Sequence, residues 1–223
     1  MILAQERKYK GPLGEFVYNT GDFEVLRQYG PMGMFEILKY RGHETDGSKI
    51  EIPKGIKDCS YMFEKCSIQT PPIIPVGVKN TSHMFKDCMS LTRGAVVPYG
   101  VKIMSFMYEG CRVLQSVPSM PDTVMYAQYM CDSCSALFEP PRISKKLVNA
   151  SGMFRGCREM VKLAELPDTC EKQEHIYRNC EKLKDILGDE YEATKTDDCI
   201  VFHHDDKDTG DNTLNETEVV EAK

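Results

Sequence analysis

The chain has 223 residues, a formal net charge of −6, and ten cysteines but no tryptophan. Residues 197–223 hold nine acidic and two basic side chains, so the rest of the chain is close to neutral, which disfavours a nucleic-acid-binding surface. No stretch is apolar enough to span a membrane, and the N-terminal residues contain no signal-peptide core. We therefore expect a cytoplasmic protein without membrane contact.

The first 49 residues come before any repeated pattern. Residues 35–40 alternate weakly between apolar and polar side chains, which predicts a strand. A polar turn stretch follows, and residues 49–52 predict a second strand that ends at Pro53. The two strands would form a hairpin-like lead-in. We interpret residues 1–49 as an N-terminal cap that covers the first repeat.

Six cysteines recur at intervals of 22 or 23 residues, and their neighbours recur with them. A large side chain lies three residues before each cysteine, except where Cys131 takes that position, and a methionine or isoleucine lies one residue earlier still. Self-similarity at this period predicts stacked repeats, because a unit so short cannot bury its apolar side chains alone. The six cysteines are Cys66, Cys88, Cys111, Cys134, Cys157 and Cys180.

The residues between successive cysteines predict the path of each repeat. Residues 72–74, 94–97 and 162–166 are short segments that each end at or near a proline, which predicts one short parallel strand per repeat. Around each cysteine the apolar residues are three apart, which predicts a short helical or 3₁₀ return. The sequence therefore predicts a repeat solenoid of about six 23-residue repeats over residues 50–184.

The recurring cysteine has a structural explanation and two chemical alternatives. A free cysteine packs as a small apolar side chain, and thiols stay reduced in a protein that is not exported, so we favour a buried, reduced ladder over disulfides. Cys131 and Cys134 have the Cys-x-x-Cys spacing of redox and zinc sites, so a thiol- or zinc-dependent protein remains an alternative. We predict no metal, no cofactor and no catalytic residue.

The repeat motif resembles that of a known family. Met84-Phe85 followed by Cys88 and Leu91 is similar to the BspA-type leucine-rich repeat of bacterial and mycoplasma surface proteins. The resemblance covers residues 50–184 and implies a right-handed, leucine-rich-repeat-like stack that binds protein or matrix. Because members of that family are commonly exported, an adhesin-like surface protein exported by a non-classical route is the alternative to a cytoplasmic bacterial or phage-encoded binding or inhibitor protein.

The sequence also predicts the structure of the C-terminal residues and a binding surface on the repeats. Residues 185–202 predict a C-terminal cap, and residues 203–223 predict an acidic disordered tail. The leading hypothesis is a non-enzymatic protein–protein interaction module that is a monomer or weak oligomer. Its predicted contact residues are side chains on the strand face that fall outside the repeated apolar positions: Thr92, Arg93, Gln115, Ser116, Phe138, Glu139, Lys162 and Glu165.

Overall fold

All regular strands lie at the N-terminal end of the described chain. A computed structural model describes residues 5–31 and 33–188. Its strands form two antiparallel hairpins, the first of which is closed by a two-residue turn. The first hairpin pairs β1 with β2 and the second pairs β3 with β4. The strands are β1 (Glu6–Gly11), β2 (Gly14–Asn19), β3 (Phe23–Gly30) and β4 (Gly33–Tyr40).

Two short helices lie near opposite ends of residues 41–188, the part of the described chain that follows β4. A 3₁₀ helix spans Gly47–Lys49, and Asp46 caps it by accepting a hydrogen bond from the Ser48 amide. The α-helix α1 (Glu181–Leu187) ends at Gly188, whose positive φ of 56° stops the helix. Neither helix of the described ranges is long and apolar enough to cross a membrane.

After the 3₁₀ helix the chain runs through six segments, the last of which contains α1. Each segment begins at a residue that forms an isolated parallel bridge with the first residue of a neighbouring segment. Backbone amides of one segment donate to carbonyls of the next. For example, the Tyr61 amide donates to Ser82 O at 3.1 Å, and the His83 amide donates to Ser105 O at 3.0 Å. Segments one to six are 58–79, 80–102, 103–125, 126–148, 149–171 and 172–188. Residues at equivalent positions of successive segments, which are 22 or 23 residues apart because segment one is one residue shorter than segments two to five, form what we call a row.

The predicted right-handed solenoid of parallel strands is wrong. The regular elements of the described chain are two small antiparallel two-stranded sheets, one 3₁₀ helix and one α-helix, which conflict with a stack of parallel strands. Residues 72–74, 94–97 and 162–166, where strands were expected, contain neither a strand nor a bridge, and the isolated parallel bridges lie at other positions. Tight turns replace the expected helical returns, because residues such as Tyr61 and Phe106 have positive φ, which a right-handed helix cannot accommodate.

The predicted lead-in is correct in one part and wrong in another. The strand expected at residues 35–40 is confirmed as part of β4. Its partner is β3 rather than residues 49–52, which contain the end of the 3₁₀ helix and no strand. The predictions for residues 189–223, including most of the C-terminal cap and the acidic tail, lie outside the described residues.

The repeated apolar positions form one continuous core, as their spacing predicts. Met84, Phe85, Cys88 and Leu91 are all fully buried, and the same row positions are buried in most other segments. The aromatic rings stack from segment to segment, with 5.6 Å between the centroids of Phe63 and Phe85. The core therefore consists of rows of like side chains, although no regular strand supports them.

Candidate functional site

The predicted contact residues are all exposed, and most of them lie together. Seven of the eight fall in two adjacent rows on segments two to five. Within these rows the Gln115 amide donates to Thr92 O at 2.9 Å, and Arg93 forms an isolated bridge with Ser116. Glu165 lies in a separate row. The structure thus gives these residues a common surface, and their role in binding remains a prediction.

A group of exposed apolar side chains that the sequence pattern did not predict borders this surface. Ile73 and Val76 lie on segment one, with 82 % and 84 % of their surfaces exposed. Val96 and Tyr99 occupy the same two rows on segment two, with 75 % and 76 % exposed. Single exposed apolar residues are ordinary, but a contiguous group indicates an interaction surface. We call these four residues the apolar patch.

Polar side chains continue the two rows of the patch on either side. Segment three carries Ser119 and Asp122 there, and segment four carries Arg142, whose guanidinium lies 3.0 Å from the Asp122 carboxylate. Glu51 and Lys54 precede the patch at the equivalent spacing. Comparison of equivalent positions in the sequence would have revealed the patch, since only segments one and two place large apolar residues in both rows.

A column of stacked rings lies on a different face. The ring centroids of Tyr61 and His83 are 4.4 Å apart, those of His83 and Phe106 are 4.6 Å apart, and those of Phe106 and Tyr129 are 5.1 Å apart. The guanidinium of Arg155 closes the column over Tyr129 at 5.2 Å. The ring of His83 is therefore held between two aromatic rings.

The environment of His83 keeps its imidazole neutral at physiological pH. Burial, with a smaller contribution from the positive charge of Lys86, lowers the pKa of His83 to about 4. Its Nδ1 atom is buried and has no hydrogen-bond partner among the described residues. Lys86 is held by the Glu109 carboxylate at 2.7 Å.

A cleft of about 640 Å³ opens beside the start of this column. One wall comes from the hairpins and includes Leu13 and Met34, and the other comes from the first two segments and includes Asp58 and Ser60. The Asp58 carboxylate accepts hydrogen bonds from the Ser60 amide at 2.8 Å and from the Asn80 side chain at 3.0 Å. These bonds orient Asp58 at the edge of the cleft.

The cysteines have a backbone partner that the sequence did not reveal. The thiol of Cys88 donates to Phe63 O at 3.0 Å, and the thiol of Cys111 donates to Phe85 O at 3.0 Å. Cys134, Cys157 and Cys180 make the same contact with the preceding segment. A small apolar residue that also donates a weak hydrogen bond suits this row, which gives the recurring cysteine a structural role.

The Cys-x-x-Cys pair lies inside the core. Cys131 and Cys134 are fully buried, and burial raises the pKa of the Cys131 thiol far above its usual range. Redox and zinc chemistry both use the thiolate form, which such an environment disfavours. Within residues 5–31 and 33–188, no group of three or more histidine, cysteine, aspartate or glutamate side chains could hold a metal ion.

Cys66 is expected to be the first of the nine described cysteines to react with a maleimide on the folded protein at pH 7.5. It is half-buried, whereas the other eight are buried. Peptide mass spectrometry after a short reaction should find Cys66 modified and Cys111 unmodified, and both modified after unfolding in urea. Equal modification of Cys66 and Cys111 in the folded protein would contradict the placement of the thiol row.

Comparison with known proteins adds no family assignment. No protein-family model, no curated protein and no solved structure matches the chain. The resemblance of its motif to the BspA-type repeat therefore stays a prediction.

Proposed function

We propose that this protein is a non-enzymatic protein–protein interaction module whose partner covers the apolar patch. The observation that supports this function is the exposure of three-quarters or more of Ile73, Val76, Val96 and Tyr99 on neighbouring segments. Complete burial of one such side chain contributes about 1.5–3 kcal/mol. Four together can supply the central, water-excluding part of a specific interface.

The surroundings of the patch support the same function. An interface typically has an apolar centre with aromatic residues and a polar rim. Tyr99 provides the aromatic residue, and the Asp122–Arg142 ion pair lies on the rim. Thr92 and Arg93 precede Val96 on the same segment, so the sequence-predicted contact residues extend the interface on one side. We propose that these residues add polar contacts and specificity around the apolar centre.

The double substitution Val96→Ser and Tyr99→Asp is expected to reduce partner binding at least tenfold while preserving the fold. It gives segment two the residues that segment three has at the same positions, Ser119 and Asp122. Exposed substitutions of this kind usually change the free energy of unfolding by no more than about 0.5 kcal/mol in either direction. The measurement is affinity capture from the native host, followed by titration of the purified partner against wild type and variant.

The control is Val17→Ser combined with Ile186→Asp, which alters exposed apolar residues outside the patch. The control should bind like wild type, and urea unfolding should show similar stability for all three proteins. Unchanged affinity of the patch variant for the captured partner would refute this function for the patch.

A further inference from the structure

The backbone hydrogen bonds between segments follow one rule with one exception. In segments two to six, the backbone carbonyls of the first and third residues each accept a hydrogen bond from a backbone amide of the preceding segment. Asn80 O accepts from the Cys59 amide at 2.9 Å, and Ser82 O accepts from the Tyr61 amide at 3.1 Å. The equivalent carbonyls of segments three to six are all bonded at 2.8–3.0 Å. The exception is segment one, where the equivalent residues are Asp58 and Ser60.

No full segment precedes segment one, and the end of β4 supplies only some of the hydrogen bonds that a preceding segment would make. The Tyr40 amide donates to Met62 O at 2.9 Å, and the Lys39 ammonium donates to Glu64 O at 2.8 Å. No donor within the described chain reaches Asp58 O or Ser60 O. Buried backbone carbonyls are nearly always hydrogen-bonded. Asp58 is half-buried and Ser60 is buried, so their two open carbonyls at the cleft are available to a partner or to water.

The opposite wall of the cleft carries a second open edge. The bond from Tyr40 to Met62 shows that the Tyr40 amide points away from β3. Backbone groups alternate along an antiparallel strand, so those of Glu36 and Met34 point the same way. In the described ranges, neither residue makes a backbone hydrogen bond on that side. The cleft therefore lies between two unpaired backbone edges.

We infer that this cleft binds an extended, basic peptide segment of a partner protein, whose amides donate to Asp58 O and Ser60 O. Addition of a strand to an open edge is an established mode of peptide recognition, in which the main chain supplies affinity and alternate side chains supply specificity. This site is separate from the apolar patch, and either can fail without the other.

The lining of the cleft determines the preferred side chains. Leu13, Met34 and Phe35 form an apolar wall. Glu36 is already engaged by the Tyr9 hydroxyl and by Arg27, but Asp58 has no cationic partner among the described residues. Among the described residues no lysine or arginine lines the cleft, and His83 is neutral at physiological pH. A peptide with alternating apolar and basic residues therefore matches both walls.

The test is selection of binders from a displayed library of random seven-residue peptides, followed by affinity measurement with synthetic copies. The selected peptides should alternate apolar and basic residues, and methylation of their alternate amide nitrogens should weaken binding at least tenfold. Recovery of no peptide with a measurable affinity would overturn the proposal. So would selected peptides that tolerate methylation of every amide.

Two substitutions locate the site. Met34→Lys places a cation in the cleft and should weaken binding at least tenfold, whereas Val17→Lys on β2 lies outside the lining and should not. Asp58→Asn copies Asn80 and Asn149, which occupy the same row, so the fold should tolerate it. It should weaken binding of basic peptides several-fold. Equal affinity of the Met34→Lys variant would place the peptide elsewhere and refute the assignment.

A further comparison separates this site from the proposed function. The patch variant with Val96→Ser and Tyr99→Asp should retain full peptide affinity, because neither residue lines the cleft. Loss of peptide binding in that variant would mean that the patch is the peptide site and would overturn the assignment to the cleft.

Discussion

Raising the pH from 8 to 10 is expected to destabilise this protein steeply. Burial raises the pKa of Cys88 and of Cys180 to about 12, compared with the ordinary value of 9.0. Between these values the unfolded chain releases the thiol protons and the folded chain keeps them. The stability contributed by the neutral thiols is therefore complete below pH 9 and is lost as the pH rises from about 9 towards 12.

The magnitude follows from the number of buried thiols. Each thiol that titrates only in the unfolded chain lowers the free energy of unfolding by roughly 1–2 kcal/mol per pH unit within this window. Burial raises the pKa of Cys59, Cys111, Cys131 and Cys157 as well. Several thiols acting together can therefore remove most of the stability of an ordinary domain, which is 5–15 kcal/mol.

Urea unfolding at pH 7, 8, 9 and 10 under reducing conditions measures this dependence. The variant with Cys88→Ala and Cys180→Ala lacks two of the thiols and should lose stability with a shallower slope above pH 9. Comparison of slopes, rather than of absolute stabilities, removes the packing cost of the substitutions. A wild-type free energy of unfolding that stays constant from pH 7 to pH 10 would contradict the buried, protonated thiol row.

Phe85→Ala is expected to lower the free energy of unfolding by about 3–5 kcal/mol. Phe85 is fully buried, and its ring stacks on Phe63 at 5.6 Å and on Tyr108 at 5.7 Å. The substitution removes two ring pairs and leaves a cavity in the centre of the core. The rings of Phe63 and Tyr108 lie on the two sides of Phe85 and belong to neighbouring segments, so they cannot easily move in to fill the space.

Chemical unfolding at pH 7 tests this prediction against Phe138→Ala. Phe138 is 49 % exposed, so its truncation should cost less than about 1 kcal/mol. A loss below 1 kcal/mol for Phe85→Ala would show that the aromatic row does not stabilise the fold. A comparable loss for both variants would show that the distinction between the core row and the exposed row is incorrect.

The core was predictable from the sequence because side-chain burial follows the period. Met84, Phe85 and Leu91 occupy repeated apolar positions, and all are buried. Cys131 takes the place of an aromatic residue in the row of Phe85 and is equally buried, because the position faces inward in each segment. Periodicity identifies which side chains face inward, and it therefore predicts a core better than it predicts backbone conformation.

The backbone was not predictable for the same reason. Apolar residues three apart suit a helical turn, but they also suit the tight turns observed here. Tyr61 and His83 have φ values of 59° and 56°, a conformation that residues other than glycine seldom adopt and that no local sequence signal indicates. Strands were expected at residues 72–74, 94–97 and 162–166, each ending at a proline, yet none of these residues forms a strand or an isolated bridge.

The candidate surfaces were predictable to different extents. Thr92, Arg93 and their row neighbours were identified because they lie outside the repeated apolar positions, which is sufficient to predict exposure. Val96 was assigned to a strand, and its exposure was missed for that reason. The cleft depends on how β4 approaches Met62, a contact between distant parts of the chain that a single sequence does not encode in any local pattern.

The ring column also gives the molecule a distinctive spectroscopic signature. His83 lies between the faces of Tyr61 and Phe106, so the ring currents of both neighbours shift its imidazole protons upfield. The chain has no tryptophan, so its near-ultraviolet circular dichroism arises from tyrosine and phenylalanine rings held in fixed mutual orientation. An intact column is therefore visible in solution through one histidine resonance, without any label.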